Sequence, residues 1–180
     1  MIRKYLMHAV STLILTSSLL MSTKNSWAVD VGDKAPALSL VQIGEGRNLS
    51  LADLKGKVVY VDFWASWCGP CRVSFPELDS LREELHQQGF EVYAINLDEN
   101  AKDAEKFLAQ FPVIYPVLRG INTQAPDKFN LKGMPTAYLI DREGSIRWIH
   151  TGFKKNDINE IRQKIIELIN VKKIASGLRE

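Results

Sequence analysis

The chain has 180 residues, a formal net charge of +2 and only two cysteines. Three of its 23 basic residues and none of its 21 acidic residues lie before position 29, so the remainder of the chain carries a net charge of −1. This near-neutral balance argues against a nucleic-acid partner. The roughly 152 residues from position 29 onward are enough for one domain with a sizeable hydrophobic core.

The first 28 residues have the pattern of an export signal. Arg3 and Lys4 give a positively charged start, and residues 6–21 are mostly apolar. The triplet Ser26-Trp27-Ala28 then supplies small residues for a cleavage site. The apolar stretch is shorter than the roughly 20 residues of a membrane span. We therefore predict a signal peptide over residues 1–28, with an uncleaved membrane anchor as the alternative, and a periplasmic location for the remainder.

The segment that follows predicts an irregular start with short strands. Residues 37–43 alternate partly between apolar and polar side chains, residues 44–46 are a glycine-rich turn signal, and residues 47–49 predict a returning strand. Residues 57–63 are rich in valine and aromatic side chains, which predicts a buried strand.

A helix is predicted from about residue 69 to residue 88. Apolar side chains recur there at three- and four-residue spacing, which is typical of a helix with one buried face. They are Cys71, Phe75, Leu78, Leu81 and Leu85. Gly89 then ends the helix.

The rest of the chain alternates strands and helices and ends in a hairpin and a helix. Strands are predicted over 90–97 and 113–118, helices over 101–110 and 123–129, and a β-hairpin over 136–140 and 146–151. The last helix begins near Asp157. This order predicts an α/β domain with a mixed sheet.

Cys68 and Cys71 enclose Gly69 and Pro70 between the predicted strand and the predicted helix. The unpaired N–H groups at a helix N-terminus stabilise a thiolate, and the spacing allows the second sulfur to bond to the first. We therefore predict that Cys68 is the more exposed nucleophile, that Cys71 is the buried resolving thiol, and that the pair is redox-active.

Two other uses of this cysteine pair stay open. A purely structural disulfide would close a very short loop, for which the chain-entropy estimate is only about 2 kcal/mol before strain. Half of a zinc site would need further ligands. The histidines available for such a site are His8, His86 and His150, which are far apart in the sequence.

Two motifs carry a family resemblance. Residues 61–71, VDFWASWCGPC, resemble the active-site strand and loop of thioredoxin-fold proteins almost residue for residue, and residues 133–136, GMPT, resemble the cis-proline loop of that family. Residues 31–36 and 51–57, together with the long interval between the two motifs, are similar to the exported TlpA/ResA-like branch of thiol–disulfide oxidoreductases.

The resemblance implies a thioredoxin fold over residues 29–180, with a mixed central sheet, an N-terminal extension and a central helix–strand insert. It also implies that Pro135 is cis beside the disulfide and leaves the backbone of Met134 open to pair with a substrate strand. Trp67, Gly69 and Pro70 complete the implied substrate-binding surface.

Asp62 is the third predicted catalytic residue. It lies six residues before Cys68 in an apolar strand. Burial there raises the pKa of a carboxyl group, so Asp62 can accept the proton of Cys71. Members of the branch that act in cytochrome c maturation often carry a glutamate at the position of Ser74 and tend to lack the acid. Cytosolic thioredoxins place a lysine on the strand that corresponds to residues 92–96, where this chain has none.

The leading functional prediction is an exported oxidoreductase that reduces disulfides of other exported proteins. Gly69 and Pro70 place no charged side chain beside the sulfurs, which favours a reductant over a strong oxidant. The expected partners are disulfide-bearing proteins and a membrane thiol electron carrier that recharges the pair. We expect a monomer that uses no metal and no cofactor beyond its own redox-active disulfide.

Three alternatives remain. The pair can oxidise or isomerise disulfides instead of reducing them. A thiol-dependent peroxidase is disfavoured, because peroxiredoxins use a threonine where this chain has Ala65. A copper(I) metallochaperone would hold the metal on the two thiolates, with few methionine or histidine helpers in the chain.

Overall fold

The computed structural model describes residues 29–177, with side chains described for residues 29–171. The predicted signal peptide over residues 1–28 lies outside the described residues. Between residues 29 and 177, no helix is both long enough and apolar enough to cross a membrane.

Seven strands and four α-helices make up this part of the chain. The strands are β1 (Ser39–Val41), β2 (Asn48–Ser50), β3 (Val58–Trp64), β4 (Phe90–Asn96), β5 (Val117–Arg119), β6 (Thr136–Ile140) and β7 (Ile146–Thr151). The helices are α1 (Gly69–Leu85), α2 (Ala101–Gln110), α3 (Ala125–Lys128) and α4 (Asp157–Gly177). Short 3₁₀ helices cover Leu51–Leu54 and His86–Gln88.

The main sheet has five strands in the order β5-β4-β3-β6-β7. Strand β3 is parallel to β4 and antiparallel to β6, and β4 is parallel to β5. Strands β6 and β7 form the predicted hairpin. The small antiparallel pair of β1 and β2 belongs to the N-terminal extension. The predicted mixed sheet is therefore confirmed.

Strand β3 is buried along its whole length because both faces of the sheet are covered. Val58, Tyr60 and Trp64 face a cluster formed with α1 and α4, whereas Val61 and Phe63 face the opposite cluster under the N-terminal extension and α3. This alternation follows from the two-residue period of a strand. The cysteine pair lies in the first of these clusters.

Strand β5 begins at Val117, four residues later than predicted. Pro116 has no backbone N–H to give to a strand ladder. The segment before it lies along α1 instead, where the N–H of Ile114 donates to Asp79 Oδ1 at 2.7 Å. Helices α2 and α3 and strand β5 lie between β4 and the proline loop, where the sequence predicts the helix–strand insert.

Candidate active site

Helix α1 begins directly after Cys68, which acts as its N-cap residue. The N–H of Cys71 points at the Sγ atom of Cys68 at a distance of 3.3 Å. Pro70 fits the first turn, because its missing N–H has no intrahelical partner at that position. Charge on the sulfur of Cys68 would therefore lie against the positive end of a 17-residue helix, which lowers the pKa of a thiol.

Cys68 and Cys71 form a disulfide bond. Cys68 is 4% exposed in this oxidised state and Cys71 is fully buried. Cys68 is the more exposed of the two cysteines, as expected from the sequence, but their exposed fractions differ only slightly. The reason is that the bond to Cys71 draws the sulfur of Cys68 toward the core cluster that both cysteines share.

Asp62 is buried in the middle of β3, with 2% of its surface exposed. Its neighbours across both edges of the strand are small, Ala94 in β4 and Ala137 in β6. The Oδ2 atom has no hydrogen-bond partner among the described residues. Burial raises the pKa of this carboxyl from 3.8 to about 8. Asp62 can therefore hold or release a proton near neutral pH.

The side chain of Asp62 projects toward the same face of the sheet as the cysteine pair. Tyr60 and Trp64, two residues to either side, both pack in the cluster that contains Cys68 and Cys71. Residues at even spacing in a strand share a face. The carboxyl of Asp62 and the two cysteines therefore lie on the same face of the sheet, as expected. The neighbouring strand β4 contains no lysine.

The predicted substrate-binding residues lie at the edge of the sheet where β3 ends. Trp67 is 70% exposed, and Gly69 and Pro70 are exposed beside it. The peptide bond between Met134 and Pro135 is cis, as the resemblance implies.

The proline loop is held from both sides. The hydroxyl of Thr136 donates to the carbonyl of Gly133 at 2.8 Å, and the N–H of Gly152 donates to the carbonyl of Pro135 at 2.8 Å. Thr136 pairs with Phe63 near the end of β3, so the loop lies at the edge from which the cysteine loop departs. Within residues 29–177, the N–H and carbonyl groups of Met134 make no hydrogen bond to other backbone groups.

Asp98 is a structural partner of the redox loop that the sequence analysis missed. Its carboxylate accepts from the backbone N–H of Ser66 at 3.1 and 3.0 Å and from the Ser66 hydroxyl at 2.9 Å. The side-chain amide of Asn96 donates to it at 2.7 Å. Asp98 therefore fixes the chain two residues before Cys68. The sequence signal for this contact was the pair of polar residues Asn96 and Asp98 at the end of β4, because the carboxyl ends of neighbouring parallel strands meet at one edge of a sheet.

The histidines considered as zinc ligands lie elsewhere. His86 is next to Glu91, and His150 contacts Tyr60 and Asp157. His8 is outside the described residues. Among the residues that the structure describes, no group of three or more histidine, cysteine or acidic side chains could hold a metal ion.

Comparison with known proteins adds independent evidence. Residues 30–165 match the family described as Redoxin. The chain is 34% identical over 139 residues to the thiol-disulfide oxidoreductase ResA of Geobacillus thermodenitrificans, which covers 77% of this chain and 79% of that protein. It is 32% identical over 125 residues to ResA of Bacillus subtilis, with 69% of each chain covered.

Two solved structures from Chlorobium tepidum have similar folds. One, assigned as thiol:disulfide interchange protein DsbE, shares 43% identity with a TM-score of 0.75 and covers 78% of this chain and 99% of its own. The other is a thiol:disulfide interchange protein of the thioredoxin family. It shares 26% identity with a TM-score of 0.68, and the match covers 78% of this chain and 99% of the other. The chain belongs to the Redoxin family and is a thioredoxin-fold, ResA-like thiol–disulfide oxidoreductase.

Proposed function

We propose that this enzyme is exported to the periplasm and reduces disulfides of other exported proteins. The observation that carries the proposal is the placement of the Cys68–Cys71 pair at a helix start, on the sheet face that also receives the buried side chain of Asp62. This arrangement supports a nucleophile, a resolving thiol and a proton acceptor.

Cys68 acts first. Its thiolate attacks one sulfur of the substrate disulfide, a bond forms between Cys68 and that sulfur, and the other substrate sulfur leaves as a thiolate that takes a proton from water. The helix N-terminus and the N–H of Cys71 stabilise the attacking thiolate.

Cys71 then resolves the mixed disulfide. Its sulfur bonds to Cys68, the bond between Cys68 and the substrate breaks, and the second substrate sulfur leaves with the electron pair. Asp62 takes the proton of Cys71, because its carboxyl is buried on the same face and has a pKa near 8. The enzyme is oxidised by two electrons and the substrate is reduced by two.

The substrate docks on the exposed surface around the pair. Trp67 supplies an apolar contact beside Gly69 and Pro70, and the open backbone of Met134 next to cis Pro135 supplies hydrogen-bonding groups for an extended segment. This mode of docking suits disulfides in many sequence contexts, because hydrogen bonds between backbones do not depend on the side chains of the substrate.

Electrons flow toward the substrate in this proposal. Neither residue between the cysteines is charged, so the reduced form gains no special stabilisation from a neighbouring cation. A membrane thiol carrier restores the dithiol by exchange, since the periplasm lacks the cytosolic reductant pool. The enzyme works as a monomer with its own disulfide as the only redox group.

The redox potential of the pair tests this direction. Equilibration of the purified chain with glutathione should give a potential near that of thioredoxin, about −270 mV. An assay that follows reduction of insulin disulfides should be positive, and Cys68→Ser should abolish it. A potential near that of a strong oxidant, about −120 mV, would contradict the reducing role and favour disulfide formation instead.

A further inference from the structure

The turn from Ala65 to Cys68 is attached to a neighbouring element by the hydrogen bonds of one side chain. The N–H of Cys68 donates to the carbonyl of Ala65 at 3.0 Å and closes the turn. In the part of the chain that the structure describes, the other hydrogen bonds of residues 65–67 all go to the carboxylate of Asp98. The N–H of Ser66 lies 3.1 and 3.0 Å from its two oxygens, and the Ser66 hydroxyl donates to it at 2.9 Å.

The corner of this turn has little other support. Ser66 is partly buried and Trp67 is 70% exposed, so packing holds these two residues weakly. The buried residues of the turn, Ala65 and Cys68, are at its two ends. Asp98 is therefore the contact that fixes the corner of the turn.

Asp98 is itself fastened to the sheet. The side-chain amide of Asn96 donates to its carboxylate at 2.7 Å, and the N–H of Asp98 donates to Oδ1 of Asn96 at 3.1 Å. Asn96 is fully buried at the end of β4, and its carbonyl accepts from the N–H of Gly120 at 2.8 Å. Asp98 thus connects the exposed turn to the end of a central strand and to the chain that follows β5.

The position of this turn decides where the sulfur of Cys68 lies. Cys68 is the N-cap residue of α1, with Sγ at 3.3 Å from the N–H of Cys71, and its carbonyl accepts from the N–H of Arg72 at 3.3 Å. The stabilisation of a negative charge by a helix N-terminus is confined to the first turn of the helix. A thiolate that moves away from this position loses that stabilisation, and the pKa of its thiol rises.

We propose that Asp98 is a positioning residue that keeps the sulfur of Cys68 against the N-terminus of α1 and thereby keeps Cys68 reactive near neutral pH. The proposal rests on the proposed role of Cys68 as the attacking thiol. Asp98 acts through the turn, because its hydrogen bonds end at Ser66 and only the turn continues from there to the sulfur.

The expected sign distinguishes positioning from a direct effect of the Asp98 charge. A negative charge near a thiol disfavours the thiolate, so its removal would lower the pKa of Cys68. Loss of the correct position relative to the helix N-terminus raises this pKa instead. The direction of the shift after substitution of Asp98 therefore decides between the two effects.

The other ionisable groups near Cys68 are the same in every Asp98 variant. Its buried cluster contains Cys71, Tyr60 and Tyr115, and Asp62 projects from the same face of the sheet. Burial raises the pKa of both tyrosines well above the ordinary value, so they stay protonated. The side chains that α4 contributes to this cluster are apolar. His150 lies beside Tyr60, and the charged residues at this end of the sheet are Arg72, Glu99, Arg119, Lys132, Lys154 and Lys155.

Alkylation of the reduced protein between pH 5 and pH 10 tests the proposal, because the thiolate is the reacting form. Fragment-ion mass spectrometry assigns the label to Cys68 or to Cys71. We expect Asp98→Ala to raise the midpoint of the Cys68 profile by about one pH unit, which corresponds to the loss of a favourable helix N-terminus. Labelling of Cys68 at pH 7 should then be severalfold slower than in the wild type.

Asp141→Ala is the matched control for a general loss of stability. Asp141 is also buried, and it accepts from the N–H groups of Glu143 and Ser145 at 3.0 and 2.8 Å and from Arg147. It follows β6 at the opposite end of the sheet, where Ile140 pairs with Val59. Its loss should destabilise the fold and leave the Cys68 profile unchanged. An equal rise in the midpoint of Asp141→Ala would overturn the proposal.

Asp98→Asn keeps a side-chain oxygen for the N–H of Ser66 and removes the charge. We expect its midpoint to rise by about half as much as that of Asp98→Ala. Circular dichroism shows which variants are folded, and Asp98→Asn alone carries the test if Asp98→Ala does not fold. A midpoint that falls or stays unchanged in the folded Asp98 variants would overturn the positioning role alone. Equal labelling of both cysteines in the wild type would overturn the attacking role of Cys68 and the positioning role together.

Discussion

Asp62, in the central strand, and Asp98, bonded to the start of the redox loop, are equally buried, each 2% exposed, yet their surroundings differ sharply. Oδ2 of Asp62 has no hydrogen-bond partner among the described residues. Both oxygens of Asp98 accept hydrogen bonds, from Ser66 and from Asn96. Burial alone does not determine what a carboxyl group does. A carboxyl without partners is suited to exchange a proton, and one with many donors is suited to hold a loop.

The backbone explains the difference. Asp62 lies inside β3, where the backbone N–H groups around it bond to β4 and β6. The residues paired with it on these two strands are alanines, whose side chains can donate no hydrogen bond. Asp98 lies just beyond β4, where the N–H of Ser66 has left the strand ladder and is free to donate. An aspartate in this region thus becomes a buried carboxyl with an unpartnered oxygen or an anchor, according to its position relative to the strand end.

The largest expected effect comes from removing the anchor. Asp98→Ala leaves the N–H of Ser66 and the amide of Asn96 without their acceptor, so we expect the free energy of unfolding to fall by about 3 kcal/mol. Denaturant titration of the wild type and the variant measures this free energy. Asp103→Ala, which removes a half-exposed carboxylate on the nearby helix α2, should change little. A loss for Asp98→Ala no larger than for this control would mean that Asp98 is not an anchor.

The opposite sign is expected at Asp62. Its pKa of about 8 exceeds the unfolded value of 3.8, so the folded state binds more protons between these values and its stability falls as pH rises through them. Asp62→Asn removes this penalty. In the disulfide form we expect Asp62→Asn to stabilise the fold by about 2 kcal/mol at pH 9, after the desolvation cost of the new amide, and to destabilise it by about 2 kcal/mol at pH 5, where the wild-type carboxyl is protonated in the folded state.

Thermal melts of wild type and Asp62→Asn across this pH range measure the difference. The wild-type melting temperature should fall with increasing pH relative to that of the variant. Curves that remain parallel from pH 5 to pH 9 would show that Asp62 does not titrate in this window, and the contrast with Asp98 would disappear.

Ser66→Ala should have the smallest effect. The hydroxyl bond to Asp98 is lost, but the backbone N–H still donates to the same carboxylate, so we expect a loss of about 1 kcal/mol. Ser80→Ala is a suitable control, because that exposed hydroxyl bonds only to a carbonyl of its own helix. A loss as large as that of Asp98→Ala would mean that the hydroxyl, and not the backbone, is the main attachment.

The sequence was most informative where local pattern determines structure. The apolar spacing of α1, the hairpin of β6 and β7 and the apolar surroundings of Asp62 each follow from neighbours within a few residues. The late start of β5 is a failure of the same reasoning, because an apolar run does not show that Pro116 keeps it from the ladder.

The contacts of the redox loop could not be predicted in this way. The bond between Ser66 and Asp98 depends on which strand ends are adjacent, which is a property of tertiary arrangement. The family resemblance located the cysteines and the proline loop, but it gave no reason to look at Ser66 or Asp98.

Strand β3 has a neighbour on each edge and a packed layer on each face, so it can open only when the whole domain unfolds. The cysteine loop begins where this strand ends. The reactive sulfur is thus attached to the least deformable part of the protein, and the enzyme has little capacity to reshape itself around a partner. A disulfide that reacts here is therefore expected to lie on a projecting or locally unfolded segment, and we expect the accessibility and mobility of a disulfide to decide whether it is a substrate.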